Sequence, residues 1–109
     1  MRKDEIPQGA LELLILTTLS RGGELHGFEI VDAIERTSGD VFSVPEGSLY
    51  PALQRMLLKG WVSAKWGVTD GNRRARYYRI MKAGQRKLSD EILEFERVFT
   101  AIRRVINAV

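Results

Sequence analysis

The sequence predicts a mainly α-helical chain that carries one small β-hairpin and ends in a long C-terminal helix. Three observations predict it. Three early segments place apolar residues at helical spacing, separated by glycines. Two stretches of alternating side chains, Trp61–Trp66 and Ala75–Ile80, flank a loop marked by Asp70-Gly71-Asn72. Beyond Lys82, apolar residues recur every three or four positions to the end of the chain.

The elements follow in order. Ile6-Pro7 precedes a first helix over Gly9–Ser20, with Leu11, Leu14, Ile15, Thr18 and Leu19 on one face and Gly22-Gly23 as its stop. A second helix fits His26–Ser38. Phe28, Val31 and Ile34 are expected to face inward, Glu29, Asp32, Glu35 and Arg36 outward, and Gly39 to end it. The link Gly39–Val44 exceeds the turn of a simple helix-turn-helix. The third helix lies between Pro45 and Lys59. Leu49, Leu53, Met56 and Leu57 form its apolar stripe, and Pro51 is expected within its first turn and a half, where a missing N–H costs least. In the first strand Val62, Ala64 and Trp66 share one side and Ser63 and Lys65 the other. In the second, Tyr78 and Ile80 alternate with Tyr77 and Arg79. The final helix starts near Lys82, with Gly84 a weak point.

Three compact helices followed by a hairpin is the layout of a winged helix-turn-helix, here with a long C-terminal helix attached. Residues 1–81 read as the DNA-binding domain and 82–109 as a dimerisation helix. Composition narrows the function. A chain of 109 residues is one domain's worth. It has no Cys, which excludes disulfides, thiolate zinc sites and thiol catalysis and fits a reducing cytosol. His26 is its one histidine, so no multi-histidine metal site exists. No apolar run approaches the ~18–20 residues that span a bilayer, and no secretory leader is visible at the charged N-terminus. No paired carboxylates in a cleft, phosphate loop or nucleophile–His–acid set stands out, so no enzyme and no cofactor is expected.

Charge is uneven. Residues 1–70 hold seven Lys/Arg against ten Asp/Glu; residues 71–109 hold ten against four. Between Gly71 and Ser89 there are seven basic residues and no acid. Such a field attracts polyanions, nucleic acid foremost. In the predicted fold the third helix enters the major groove and the hairpin lies along the phosphates. Opposite the apolar stripe the third helix presents Gly47, Ser48, Pro51 and Arg55, flanked by Ala52 and Gln54, with Tyr50 at the boundary. Small residues permit close approach, Ser48, Gln54 and Arg55 can reach bases, and Tyr50 can reach a phosphate. In the alternative, Tyr50 packs in the core and Arg55 pairs with Glu46 or Glu12. Arg73, Arg74 and Arg76 crowd the hairpin tip, where guanidinium groups bind phosphates in pairs of hydrogen bonds. The alternative for Arg76 and Arg79 is pairing with acids of the final helix.

In the final helix Leu88, Ile92, Phe95, Phe99, Ile102, Ile106 and Val109 are spaced four and three in turn, an unbroken heptad seam. A domain of some 75 residues cannot cover a stripe about 30 Å long at ~1.5 Å per residue, and exposed apolar surface of that extent marks an interface. A homodimer is therefore expected, with Glu91, Glu96 and Arg103 beside the seam setting register. His26 reads as a capping or packing residue. Trp61 and Trp66 read as hairpin core; the alternative turns Trp66 toward a cavity near the dimer interface, to stack on an aromatic ligand.

Linked motifs sharpen this reading. They are Leu25-His26-Gly27, Ser38-Gly39, Ser48-Leu49-Tyr50-Pro51-Ala52-Leu53-Gln54-Arg55-Met56, Gly60-Trp61-Val62, Trp66, Arg73-Arg74-Ala75-Arg76-Tyr77-Tyr78-Arg79-Ile80 and Gly84. Together they resemble the PadR family of bacterial transcriptional regulators, in its short form with a single C-terminal helix. The resemblance implies a cytoplasmic winged-helix repressor that dimerises through that helix and binds inverted repeats of double-stranded DNA. It also implies a hydrophobic or aromatic small-molecule effector. Ser48, Tyr50 and Pro51 carry over as recognition-helix positions, and Arg73, Arg74 and Arg76 as wing positions. Met81 departs from the pattern, which has Thr, a better N-cap, so the final helix is expected to fray or to start elsewhere. A protein-interaction module that uses the same fold without DNA is the alternative function; the basic tip argues against it, and a gel shift separates the two.

Overall fold

The computed structural model describes residues 4–7 and 9–108. Val109, the end of the predicted seam, and residues 1–3 of the charged N-terminus lie outside them. In order the elements are β1 (Asp4–Glu5), α1 (Leu11–Gly22), β2 (Leu25–His26), α2 (Gly27–Thr37), β3 (Phe42–Ser43), α3 (Glu46–Leu58), β4 (Val62–Val68), β5 (Arg74–Ile80) and α4 (Lys82–Ile106). The winged helix-turn-helix layout is present: three helices, a β4–β5 wing and a long closing helix.

The core is apolar and shared by all three helices. Ile15, Leu16 and Leu19 of α1, Ile30 and Ile34 of α2, and Leu49, Ala52, Leu53 and Met56 of α3 are buried together. Val62, Tyr78 and Leu88 seal that core from β4, β5 and α4. Two sequence expectations are corrected here. Phe28 was expected inward on α2 but is 77% exposed. The buried positions of that helix are Gly27, Ile30 and Ile34, and a residue one step beyond Gly27 is turned about 100° away from them at 3.6 residues per turn. Ala52, expected at the edge of the exposed face of α3, is fully buried.

The long link between α2 and α3 is tied down rather than loose. β3 within it pairs in parallel with β1, and the Asp4 amide donates to the Val41 carbonyl at 2.7 Å. Ser38 Oγ accepts from the Phe42 amide at 3.3 Å, and Glu35 Oε2 from the Val44 amide at 3.0 Å. These bonds replace the short turn and fix where α3 begins.

The wing is longer than the sequence suggests, because β4 runs on to Val68 and β5 starts at Arg74. β2 adds a third strand, pairing Leu25 with Tyr78 and His26 with Tyr77. Trp66 is therefore not hairpin core: it is paired opposite Arg76 and is 58% exposed. Trp61 is half-buried. The final helix begins at Lys82, where its apolar pattern places it, which corrects the expectation that Met81 would fray or shift its start. Met81 is its N-cap without a side-chain bond, yet the Met81 amide donates to the Trp61 carbonyl at 2.9 Å, which pins the helix start to the wing.

A candidate nucleic-acid interface

The exposed side of α3 carries the residues that the sequence singles out. Gly47, Ser48, Tyr50, Pro51, Gln54 and Arg55 are all exposed, while Leu49, Leu53 and Met56 anchor the opposite side. Pro51 is the sixth residue of α3. Its missing N–H would have met the Gly47 carbonyl, which lies on the solvent side, so no buried acceptor is orphaned. Tyr50 is 48% exposed, and its ring lies against the N-terminus of α2. A Cβ at Gly27 would press on the Tyr50 hydroxyl, so a larger residue there would push this phenol outward from between the two helices. Arg55 is already engaged: its Nε donates to Glu12 Oε1 at 3.1 Å, which ties α3 to α1. The sequence alternative for Arg55 is thus the arrangement present, and it leaves the two η nitrogens for any contact with a base.

The wing tip is a closed turn. The Thr69 amide donates to the Arg73 carbonyl at 2.8 Å, the Arg73 amide to Thr69 Oγ1 at 3.2 Å, and the Asn72 amide to the Thr69 carbonyl at 2.9 Å. Asn72 sits at φ 61°, a left-handed position that Asn tolerates better than most residues. Arg73, Arg74 and Arg76 are all exposed. Trp66, Val68, Arg74, Arg76 and Tyr78 stand on one face of the β4–β5 ribbon. The Arg74 guanidinium lies 4.3 Å from the centre of the Trp66 ring, and that of Arg76 lies 6.0 Å from the Tyr78 ring. Burial pushes the Tyr78 phenol above its ordinary pKa, against the Arg76 charge, which pulls it down.

Wing and helices meet in one open cleft of about 720 Å³. His26, Gly27 and Phe28 line it from the start of α2, Tyr50 from α3, and Trp66, Thr69, Arg73–Arg76 and Tyr78 from the wing. Among the described residues no carboxylate lines it. His26 caps α2, its amide donating to Glu29 Oε1 at 3.1 Å, and its ring meets Tyr77 edge-on at 5.3 Å. That is the capping and packing role read from the sequence. Phe28 was missed as a cleft residue, because its spacing from Val31 and Ile34 mimics a core stripe. Trp66 faces a cleft, as one sequence reading allowed, but this one lies between the wing and the helix N-termini.

Comparison with known proteins fits this geometry. Residues 15–90 match the transcriptional regulator PadR-like family. An uncharacterised protein of Lysinibacillus sphaericus is 32% identical over 99 residues, covering 90% of this chain and 89% of its own. A transcriptional regulator from Clostridium thermocellum superposes with a TM-score of 0.80 at 26% identity, covering 88% of this chain and 92% of that one. A PadR-like regulator from Bacillus cereus gives 0.77 at 25% identity, with 93% and 95% covered. Bacillus subtilis PadR, solved in complex with operator DNA, shares the fold at a TM-score of 0.67 and 24% identity, with 79% of this chain and 48% of that one covered. The fold, the motif order and the extent of the family match lead to one conclusion: this chain belongs to the PadR-like family of transcriptional regulators.

Proposed function

We propose that the chain is a homodimeric, sequence-specific DNA-binding repressor acting on an inverted-repeat operator. In this reading Gly47, Ser48, Tyr50, Pro51, Gln54 and Arg55 face the major groove, and Arg73, Arg74 and Arg76 grip phosphates. The observation that carries it is the junction of the exposed face of α3 with an arginine-bearing wing across a cleft lined by no acid. The operator complex of Bacillus subtilis PadR supports it by likeness of fold. Residues 1–81 act as the reading head and 82–109 as the dimerisation helix, with third helices of the two copies about 34–36 Å apart. A hydrophobic or aromatic effector that alters operator affinity completes the proposal.

Duplexes selected from genomic DNA by the purified protein test it, with binding followed by fluorescence anisotropy over a salt series, with and without aromatic ligands. The double variant Arg73→Ala, Arg74→Ala should weaken binding to every sequence and lower the salt slope by about 2, since each phosphate contact releases about 0.9 counterion. Ser48→Ala and Gln54→Ala should change which sequence is preferred. An unchanged slope removes the wing from the mechanism, and a change confined to overall affinity removes base reading by α3.

A further inference from the structure

Duplex DNA offers phosphates and groove edges to a winged helix, and those engage arginines. It keeps the flat faces of its bases stacked inside. Yet the cleft between wing and helices also exposes three large aromatic residues: Phe28 from α2, Tyr50 from α3 and Trp66 from β4. Exposed rings gathered around one concavity mark a binding surface, and a flat ring is the group that covers a flat ring. The Arg74 guanidinium covers one face of the Trp66 ring and leaves the other face and its own outer plane to a base, since a guanidinium plane also takes a stacked base. Arg73 and Arg76 supply positive charge in the same cleft, and none of the described residues that line it is a carboxylate. Aromatic faces interleaved with arginines are the chemistry of unpaired nucleotides.

We propose that this cleft binds an unpaired nucleotide, its base stacked on the Trp66 surface and its phosphate held by Arg73 or Arg76. The ligand is either a free nucleoside phosphate or one unit of a single strand; both present the same chemistry. Its site overlaps the proposed duplex contact, so occupancy displaces duplex DNA. That displacement rests on the proposed function, whereas nucleotide binding itself does not.

The test is a titration of the full chain followed by NMR at the indole signals of Trp66 and Trp61, with the amide spectrum reporting the fold. Deoxyadenosine monophosphate should shift Trp66 saturably and leave Trp61 unmoved. Its apparent Kd should be at least tenfold lower than those of adenosine, inorganic phosphate or benzoate. The double variant Arg73→Ala, Arg76→Ala should weaken it about tenfold. Trp66→Ala, followed through the cleft amides, should do the same, as expected for loss of one base–aromatic stack. A short oligothymidylate separates the sources: saturation by the mononucleotide indicates a free nucleotide, and saturation by the oligomer alone indicates a strand. If phosphate or benzoate binds as well as the nucleotide, or if Trp66→Ala changes nothing, the proposal falls. A chain that binds the nucleotide but no duplex overturns the DNA-binding reading and leaves this site standing. A chain that binds duplex undisturbed by saturating nucleotide overturns the overlap.

Discussion

Gly84 shows how a single residue joins two parts of the molecule. It lies in the first turn of α4 and is buried, and a Cβ built on it would overlap the Trp61 carbonyl while pressing on Ile80. The sequence marks it only as a poor helix former. The structure explains it by close approach of the helix to the start of the wing. Gly84→Ala gains helix propensity of about 1 kcal/mol, but the overlap is with backbone, which cannot rotate aside. Overpacking of that kind costs about 1–3 kcal/mol or more, so the clash outweighs the propensity. The variant should melt several degrees below the wild type by circular dichroism; an unchanged or higher Tm would mean the helix shifts freely. Gly27 is a milder case: a Cβ there would meet the Tyr50 hydroxyl, a side-chain end that can move outward. Neither close approach is written in the local sequence, because the atom that forbids a side chain comes from a distant element.

At the scale of elements, long periodic segments were legible and short ones were not. All four helices and both wing strands are present near their expected bounds, since each carries enough residues for its period to show. The two-residue strands β1, β2 and β3 have no period to read, and they exist only through partners distant in sequence. Phe28 and Trp66 were misplaced for a related reason: spacing says which residues share a face but not which face meets the core. At the candidate interface, the exposure of the arginines and of the small residues of α3 was legible from charge and size, and Tyr50 was named with them, whereas Phe28 as cleft lining was not. The start of α4 tests how well local signals add. Met81 caps this helix with its backbone alone. Met81→Thr supplies a side-chain acceptor for an orphaned amide of the first turn, worth about 0.5–2 kcal/mol. Met81 is itself exposed, so little packing is lost. The variant should raise Tm by a few degrees while the salt slope for DNA stays the same, and a fall in Tm would show that Met81 is held by packing instead.

For the whole molecule the decisive feature is α4. Its 25 residues span about 37 Å at ~1.5 Å per residue, which accounts for the 58 Å long axis of a chain only 22 Å thin. Leu88 sits in the core, but Ile92, Phe95, Phe99, Ile102 and Ile106 are 38–73% exposed and aligned along one side. Phe95 and Phe99 stack on each other at 5.7 Å, and Arg103 covers the Phe99 ring at 4.8 Å. Glu91 pairs with Lys87 of its own helix. A stripe of this length facing water favours association, because a second copy removes it from solvent at little cost in strain. The wild type should therefore sediment as a dimer at micromolar concentration. Phe95→Glu combined with Ile102→Glu places four carboxylates along the two-helix seam, so that variant should sediment as a monomer. Its Tm at low concentration should stay near that of an equally dilute wild type, because both positions are already exposed within one chain. It should keep weak binding to a half-site and lose the gain that an inverted repeat provides. A wild type that sediments as a monomer would leave the seam with no function in assembly.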